Sequence, residues 1–261
     1  MQSQFDARHY LVERYQSPEQ RAPPLKYCFS FFNRYHDKWD PSKAALLEVG
    51  GGPSLQIAIS AAPFVANIVH SDFEDSCNRE VQLWIDRSPD AFNWAPVAEY
   101  AMKHCENATE NAVDLHAVAE REEELRRKIS AVIHCDLNKE DVGLDPTVIP
   151  DDGFDVIIAC GCLTPAVRTQ DEFVRALKNI RSVMKEGGYL CALIAGKLIS
   201  YKVARDCKEQ LEAYYITDKE VRQGIADAGL HLEEFEIKEP IRSHAVLSSY
   251  SKELYCCIIK K

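Results

Sequence analysis

From residue 45 onward the chain alternates short apolar runs with amphipathic stretches. Ala45–Val49 is apolar except for Glu48, the pattern of a strand covered on both faces. Residues 68–72, 131–136, Phe154–Cys160 and 189–195 repeat it. Between these runs the period changes. Residues 53–62 predict a helix that follows a glycine turn. Phe173, Ala176, Leu177, Ile180, Val183 and Met184 share one helical face, opened by the capping pair Thr169 and Glu172 and stopped at Gly187-Gly188. Thr217 and Glu220 form a second capping pair, opening a helix that closes at Gly229. The last runs, 231–237 and 253–259, have no helix between them and predict antiparallel neighbours at one sheet edge. Alternating strands and helices predict an α/β fold, a Rossmann-like doubly wound seven-stranded sheet with an antiparallel strand pair at the edge.

Two stretches depart from this alternation. In residues 1–44, Tyr10, Leu11 and Tyr15, then Tyr27, Phe29, Phe31 and Phe32, recur at near-helical spacing. Residues 85–130 form an insertion between strands two and three. Its charged run, 120–128, alternates sign as a solvated helix face does. Neither stretch has the composition of a linker, so residues 1–261 read as a single domain.

Composition narrows the function classes. At 261 residues and 46% hydrophobic, the chain can bury one sizeable core. A formal charge of −10 argues against a nucleic-acid partner, which would require lysine and arginine to neutralise phosphates. No run of eighteen apolar residues occurs, and the first residues lack a secretory pattern, so the expectation is a cytoplasmic protein with no membrane partner. The ten cysteines fall mostly in apolar runs, which predicts buried reduced thiols and no metal. Cys160-Gly161-Cys162 permits a redox pair, but two residues of one strand end facing different ways is the simpler account and the one preferred.

The chemistry concentrates at Glu48-Val49-Gly50-Gly51-Gly52-Pro53-Ser54 and at Asp72, which closes the next apolar run. Glycines after a strand let backbone N–H groups approach a ligand, and an acid at that offset suits the hydroxyls of a ribose. A nicotinamide cofactor requires a third, more distant glycine where the helix packs on the strand; here Pro53-Ser54-Leu55-Gln56 follows instead. Proline is tolerated in a first helical turn. S-adenosylmethionine (SAM) carries no pyrophosphate and does not need that approach. Glu48 before the glycines, Cys135-Asp136 after strand three and the closing antiparallel pair all favour SAM, with the dinucleotide kept as the competing reading.

These residues resemble the nicotinamide, phenylethanolamine and indolethylamine N-methyltransferase family of SAM-dependent enzymes, almost end to end. Residues 10–15 are similar to its N-terminal Tyr-Leu…Tyr segment, and Gly50-Gly51-Gly52-Pro53-Ser54 to its Gly-Ser-Gly-Pro-Thr loop. Asp72-Phe73 is similar to its Asp-Tyr pair. Trp84 and the segment Pro89-Asp90-Ala91-Phe92-Asn93-Trp94-Ala95-Pro96-Val97 resemble a part peculiar to the family. Cys135-Asp136, Arg175-Ala176-Leu177-Lys178-Asn179 and Gly187-Gly188-Tyr189-Leu190 follow in order. The resemblance implies that residues 1–44 form a lid, with Tyr10 and Tyr15 over SAM and Tyr10 also over the acceptor. It further implies that Gly50, Gly51, Gly52, Ser54 and Gln56 line the methionine side, that Asp72 holds the ribose, and that Phe73 packs on adenine. Asp136 and Leu137 would meet the adenine edge, with Cys77 or Asn78 at the family's adenine-side asparagine, and Cys160 would lie near the methionine amino group.

Departures concern the acceptor more than the cofactor. Ile194 and Thr164 stand where nicotinamide-binding members carry acids, Ala213 where a serine stands, and Arg242 where an aromatic is expected. Tyr201 is a further pocket candidate. The implied reaction is direct displacement by the nitrogen of a small amine or pyridine, releasing S-adenosylhomocysteine (SAH). A pyridine-type nitrogen is neutral at pH 7 and needs no base, whereas an amine must first lose a proton. No pocket carboxylate remains, which favours the neutral nitrogen. His9 is a candidate base, and Arg242 a partner for an acceptor carboxylate. The alternative is a non-catalytic SAM-binding regulator that has lost its acceptor acid. A monomer is expected.

Overall fold

The computed structural model describes residues 5–15, 17, 22–106, 113–201, 211–238 and 253–261. Its elements are α1 (Ala7–Tyr15), α2 (Ala22–Tyr35), β1 (Ala45–Val49), α3 (Gln56–Ala61), β2 (Asn67–Asp72), α4 (Asp75–Ile85), α5 (Ala95–His104), α6 (Leu115–Lys128), β3 (Ile129–His134), β4 (Phe154–Cys160), α7 (Leu163–Ala166), α8 (Gln170–Val183), β5 (Met184–Gly196), β6 (Ser200–Tyr201), β7 (Leu211–Glu212), α9 (Asp218–Asp227), β8 (His231–Lys238) and β9 (Glu253–Lys260). Seven strands form one sheet in the order β3-β2-β1-β4-β5-β9-β8, and β6 and β7 make a separate two-stranded ribbon. The chain divides into two compact units, Met1–Ile133 and His134–Lys261. Among the described residues, no helix is long and apolar enough to cross a membrane.

In the first unit β1 pairs in parallel with β2, setting Glu48 beside His70 and Val49 beside Ser71. All five residues of β1 are buried, as expected of a strand covered on both faces. An aromatic cluster closes one end. Phe32 stacks on Phe64 at 5.5 Å, and Trp39 Nε1 donates to the Phe64 carbonyl at 2.8 Å. Asp6 caps α1 by accepting from the His9 N–H, so the backbone of His9 belongs to the helix start. The inserted stretch holds α5 and α6. Its charged run is not simply solvated: Arg121 makes two bonds to Glu106 at 2.5 and 2.7 Å with only 10% of its side chain exposed. Arg126 lies 3.9 Å over the Trp84 ring. The planar guanidinium lets both arginines close against the body while keeping hydrogen bonds.

In the second unit β4 pairs in parallel with β5, β5 runs antiparallel to β9, and β9 antiparallel to β8. The expected closing pair is present, with β8 at the edge. The buried face of α8 is Phe173, Ala176, Leu177, Ile180 and Val183, and Thr169 caps it. Gly187-Gly188 does not stop that helix. Met184 turns directly into an extended conformation, and both glycines lie inside β5, where its register with β4 shifts. A Cβ on Gly188 would stand 2.9 Å from the Lys185 carbonyl oxygen and 3.0 Å from that of Phe154, so the bulge itself requires glycine.

Candidate functional site

The turn after β1 is built by hydrogen bonds rather than by a helix. Gly50 and Gly52 adopt φ of +62° and +65°, which glycine reaches without strain. The Gly51 N–H donates to the Ser71 carbonyl at 3.1 Å, and the Gly52 N–H to Asp72 Oδ2 at 2.8 Å. Ser54 Oγ donates to the Gly51 carbonyl at 3.1 Å. The following helix begins at Gln56, not at Pro53 as expected, and Leu55 gives it no side-chain cap. Pro53 therefore stiffens the turn, and two residues separate it from the helix. Gln56 is buried and its Oε1 has no hydrogen-bond partner among the described residues.

Asp72 is 9% exposed and accepts two backbone N–H groups, Gly52 on Oδ2 and Glu74 on Oδ1 at 2.9 Å. Its orientation is thereby fixed, and each oxygen retains lone-pair capacity. Phe73 beside it is 59% exposed. Of the two asparagine candidates, Cys77 is buried, and burial, first of all, pushes its thiol far above the ordinary cysteine range. Asn78 is the better placed. Its Nδ2 donates to the carbonyls of Asp72 at 3.1 Å and Ile133 at 2.9 Å, leaving Oδ1 buried without a partner among the described residues. Two carbonyl acceptors define which end of the amide is nitrogen. Buried polar atoms are nearly always satisfied, so the acceptors of Asn78 and Gln56 stand out as unpartnered among the described residues.

The tyrosines expected to form a lid belong to the same unit. Tyr10 and Tyr15 have ring centroids 6.3 Å apart, and the Arg14 guanidinium lies 4.8 Å over the Tyr10 ring. Tyr15 meets Trp94 edge-on at 5.0 Å, and Trp94 meets Phe92 at the same distance. Arg8 pairs with Glu80 and also donates to the Asp90 carbonyl at 2.6 Å. The segment around Phe92 and Trp94 thus anchors α1.

In the second unit, β3 ends at His134, two residues before the expected boundary, so Asp136 and Leu137 sit in a loop. Asp136 Oδ1 accepts from the Asn138 N–H at 3.0 Å, and the Leu137 carbonyl accepts from Asn179 at 2.9 Å, linking this loop to α8. Cys160 ends β4 and is half-buried; Cys162 precedes α7. The nine described cysteines are thiols rather than disulfides. Burial pushes Cys256 up to about 12.

The acceptor candidates also gather there. Thr164 is fully buried, and its Oγ1 has no partner among the described residues. Its carbonyl accepts from the Tyr214 N–H at 3.0 Å, which brings Ala213 alongside. Ala213 packs with Ala195 and Leu198, and Ile194 is buried in β5. Tyr214 Oη is committed to Gln170 at 3.3 Å. The backbone of Tyr201 is in β6, while its side chain and all of Arg242 lie outside the described residues.

Sequence reading gave His70 no role. The ring is fully buried, with Nδ1 3.1 Å from Glu48 Oε2 and Nε2 3.0 Å from the Gly52 carbonyl oxygen. Burial disfavours the imidazolium, but the bond and charge of Glu48, aided by Asp72 and the Gly52 carbonyl, outweigh it and raise the pKa. The available signal was a histidine in an apolar strand, in register with a strand acid. Glu48, expected only as the motif's acid, is the other half of that pair.

The family model for the NNMT/PNMT/TEMT family matches residues 1–260. Indolethylamine N-methyltransferase of Oryctolagus cuniculus is 27% identical over 89% of this chain and 85% of that protein. Nicotinamide N-methyltransferase of Homo sapiens is 25% identical over 99% and 94%. Among solved structures, a SAM-dependent methyltransferase from Clostridium acetobutylicum has a TM-score of 0.51 at 11% identity, covering 92% of this chain and 93% of that one. One from Methanosarcina mazei has a TM-score of 0.50 at 16% identity, covering 87% and 96%. The structures agree on the fold, and the match over nearly the whole sequence decides the rest: the chain belongs to the NNMT/PNMT/TEMT family of SAM-dependent N-methyltransferases.

Proposed function

We propose that this enzyme methylates the neutral ring nitrogen of a small pyridine-like acceptor. The observation that carries this reading is that Thr164, Ile194 and Ala213, the positions the resemblance assigns to the acceptor, are each buried and none is a carboxylate. A cationic amine placed there would lose its hydration with no counter-charge, which is costly. A neutral heteroaromatic ring would not, and the Thr164 hydroxyl offers it one hydrogen bond.

The cofactor roles proposed are those the family resemblance implies. The Gly50-Gly51-Gly52 turn with Ser54 and Gln56 takes the methionine side, and Asp72 takes the ribose hydroxyls. Within the first unit, Phe73 and Asn78 take adenine. Tyr10 and Tyr15 present ring faces suited to a sulfonium cation. SAM supplies a methyl group already activated by that positive sulfur. The protein's own contribution is alignment of the two reactants and exclusion of water, which suits a pocket with no general base. We further propose a single domain acting as a cytoplasmic monomer, supported by the buried thiols and open to a test by size-exclusion chromatography.

The pH–rate profile tests the acceptor class. With SAM saturating and a pyridine whose nitrogen is already neutral, kcat/KM for the acceptor should stay flat from pH 7 to 9. Efficient turnover restricted to alkylamines, rising with pH as the ammonium deprotonates, would overturn the reading.

A further inference from the structure

We infer that His70 is a positioning residue for the cofactor turn, its ring braced between the Glu48 carboxylate and the Gly52 carbonyl in the space that Gly51 leaves empty. The inference rests on the proposal that this turn and Asp72 hold SAM.

Three contacts carry it. Both ring nitrogens face acceptors, Glu48 Oε2 at 3.1 Å and the Gly52 oxygen at 3.0 Å. The Glu48–His70 pair must therefore hold two protons between its partners: a neutral imidazole opposite an ionised carboxylate would leave one acceptor facing another. Gly52, whose carbonyl His70 grips, sends its own N–H to Asp72 Oδ2. One ring thus connects the strand acid, the turn and the carboxylate proposed for the ribose. Charged groups bearing on the ring are Glu48 from β1 and Asp72 from its own strand. Finally, a Cβ on Gly51 would stand 2.4 Å from His70 Cε1 and 2.8 Å from Glu48 Cδ. Gly51 and His70 are a matched pair: the ring can occupy this place only where residue 51 has no side chain.

The middle position of the turn therefore depends on residue 70. Serine at position 51 collides with a histidine ring held by two hydrogen bonds, and relief requires that the ring gives up those bonds or the backbone moves. With valine at 70, Glu48 is released and the serine can be accommodated. His70 touches neither reactant in this account; it acts by fixing Gly52 and, through it, Asp72.

SAH affinity measured by calorimetry on the full chain tests this, for wild type, Gly51→Ser, His70→Val, the double variant and His70→Gln, each checked for a cooperative thermal transition. Gly51→Ser alone should weaken SAH at least 30-fold, and the double variant should bind at least 10-fold tighter than Gly51→Ser. The loss of affinity between pH 7 and 9.5 should be steeper in wild type than in His70→Gln, because only the imidazole can give up its second proton there. Equal cost of Gly51→Ser in both backgrounds, or identical pH profiles for wild type and His70→Gln, would overturn the inference. Asp72→Asn separates the two levels. If it leaves SAH affinity unchanged, the cofactor-site reading falls and this inference with it; if it weakens SAH while Gly51 and His70 show no coupling, only the brace is wrong. Should His70→Val not fold, the pH comparison with His70→Gln decides.

Discussion

Replacing Trp94 with alanine should loosen the N-terminal helix and weaken cofactor binding together. Trp94 is 1% exposed and in edge contact with Tyr15 at 5.0 Å, while Phe92 packs on its other side at 5.0 Å. Truncating a buried tryptophan costs about 3–5 kcal/mol, within which each aromatic pair accounts for about 0.5–1.5 kcal/mol. For a chain of this size, each kcal/mol lowers the melting temperature by about 2–4 °C, so a drop of roughly 6–20 °C is expected. Trp94→Phe keeps a ring in place and should recover about half of that loss. The two readouts are a thermal melt and SAH titration at a temperature where the variant is folded. Because Tyr15 lies on the Trp94 ring and Tyr10 follows it at 6.3 Å, SAH affinity should fall about 10-fold, roughly the loss of one aromatic pair. A melt shifted by less than 2 °C would refute the anchoring argument. A large shift with unchanged SAH affinity would show that Trp94 serves the fold and not the lid.

The other predictions concern stability. The raised His70 pKa means that its pairing with Glu48 stabilises the protein fully below the unfolded histidine value of about 6.5, and that this contribution is lost as pH rises through the folded value. Urea midpoints should therefore decline on the alkaline side in wild type. Glu48→Gln should cost about 3–5 kcal/mol near neutrality, and that part of the alkaline decline should vanish. Gly188→Ala forces a Cβ against two carbonyl oxygens and should cost about 1–3 kcal/mol in the same urea assay, whereas a helix-terminating role would make it nearly neutral. Thr217→Ala breaks the reciprocal cap with Glu220 at the start of α9 and should cost about 1 kcal/mol, read as a small fall in melting temperature.

What the sequence revealed, and what it hid, follows the range of the forces involved. Continuous apolar runs placed the sheet strands, and the period of Phe173, Leu177 and Ile180 placed α8, because burial of a face leaves its mark within a dozen residues. The start of β5 at Met184 and the bulge at Gly187-Gly188 were illegible, since they depend on register with β4. The two-residue strands of β6 and β7 are too short for any period to show. At the site, Asp72 and the glycines were readable as a local motif. The bracing of Gly52 by His70 was not, because the partner at Glu48 stands 22 residues away and meets the ring only through strand pairing.

The proposed preference for a neutral ring nitrogen rests on acceptor positions that carry no carboxylate. Its most direct test is transfer from labelled SAM to a panel of pyridines, including nicotinamide and its acid, and of arylalkylamines, each at matched concentration and pH. Turnover of neutral pyridines at least 10-fold above that of every amine is the result predicted here. Preference for amines would contradict it, and so would SAH binding without turnover of any acceptor, which would mark a protein that holds the cofactor and has lost the reaction.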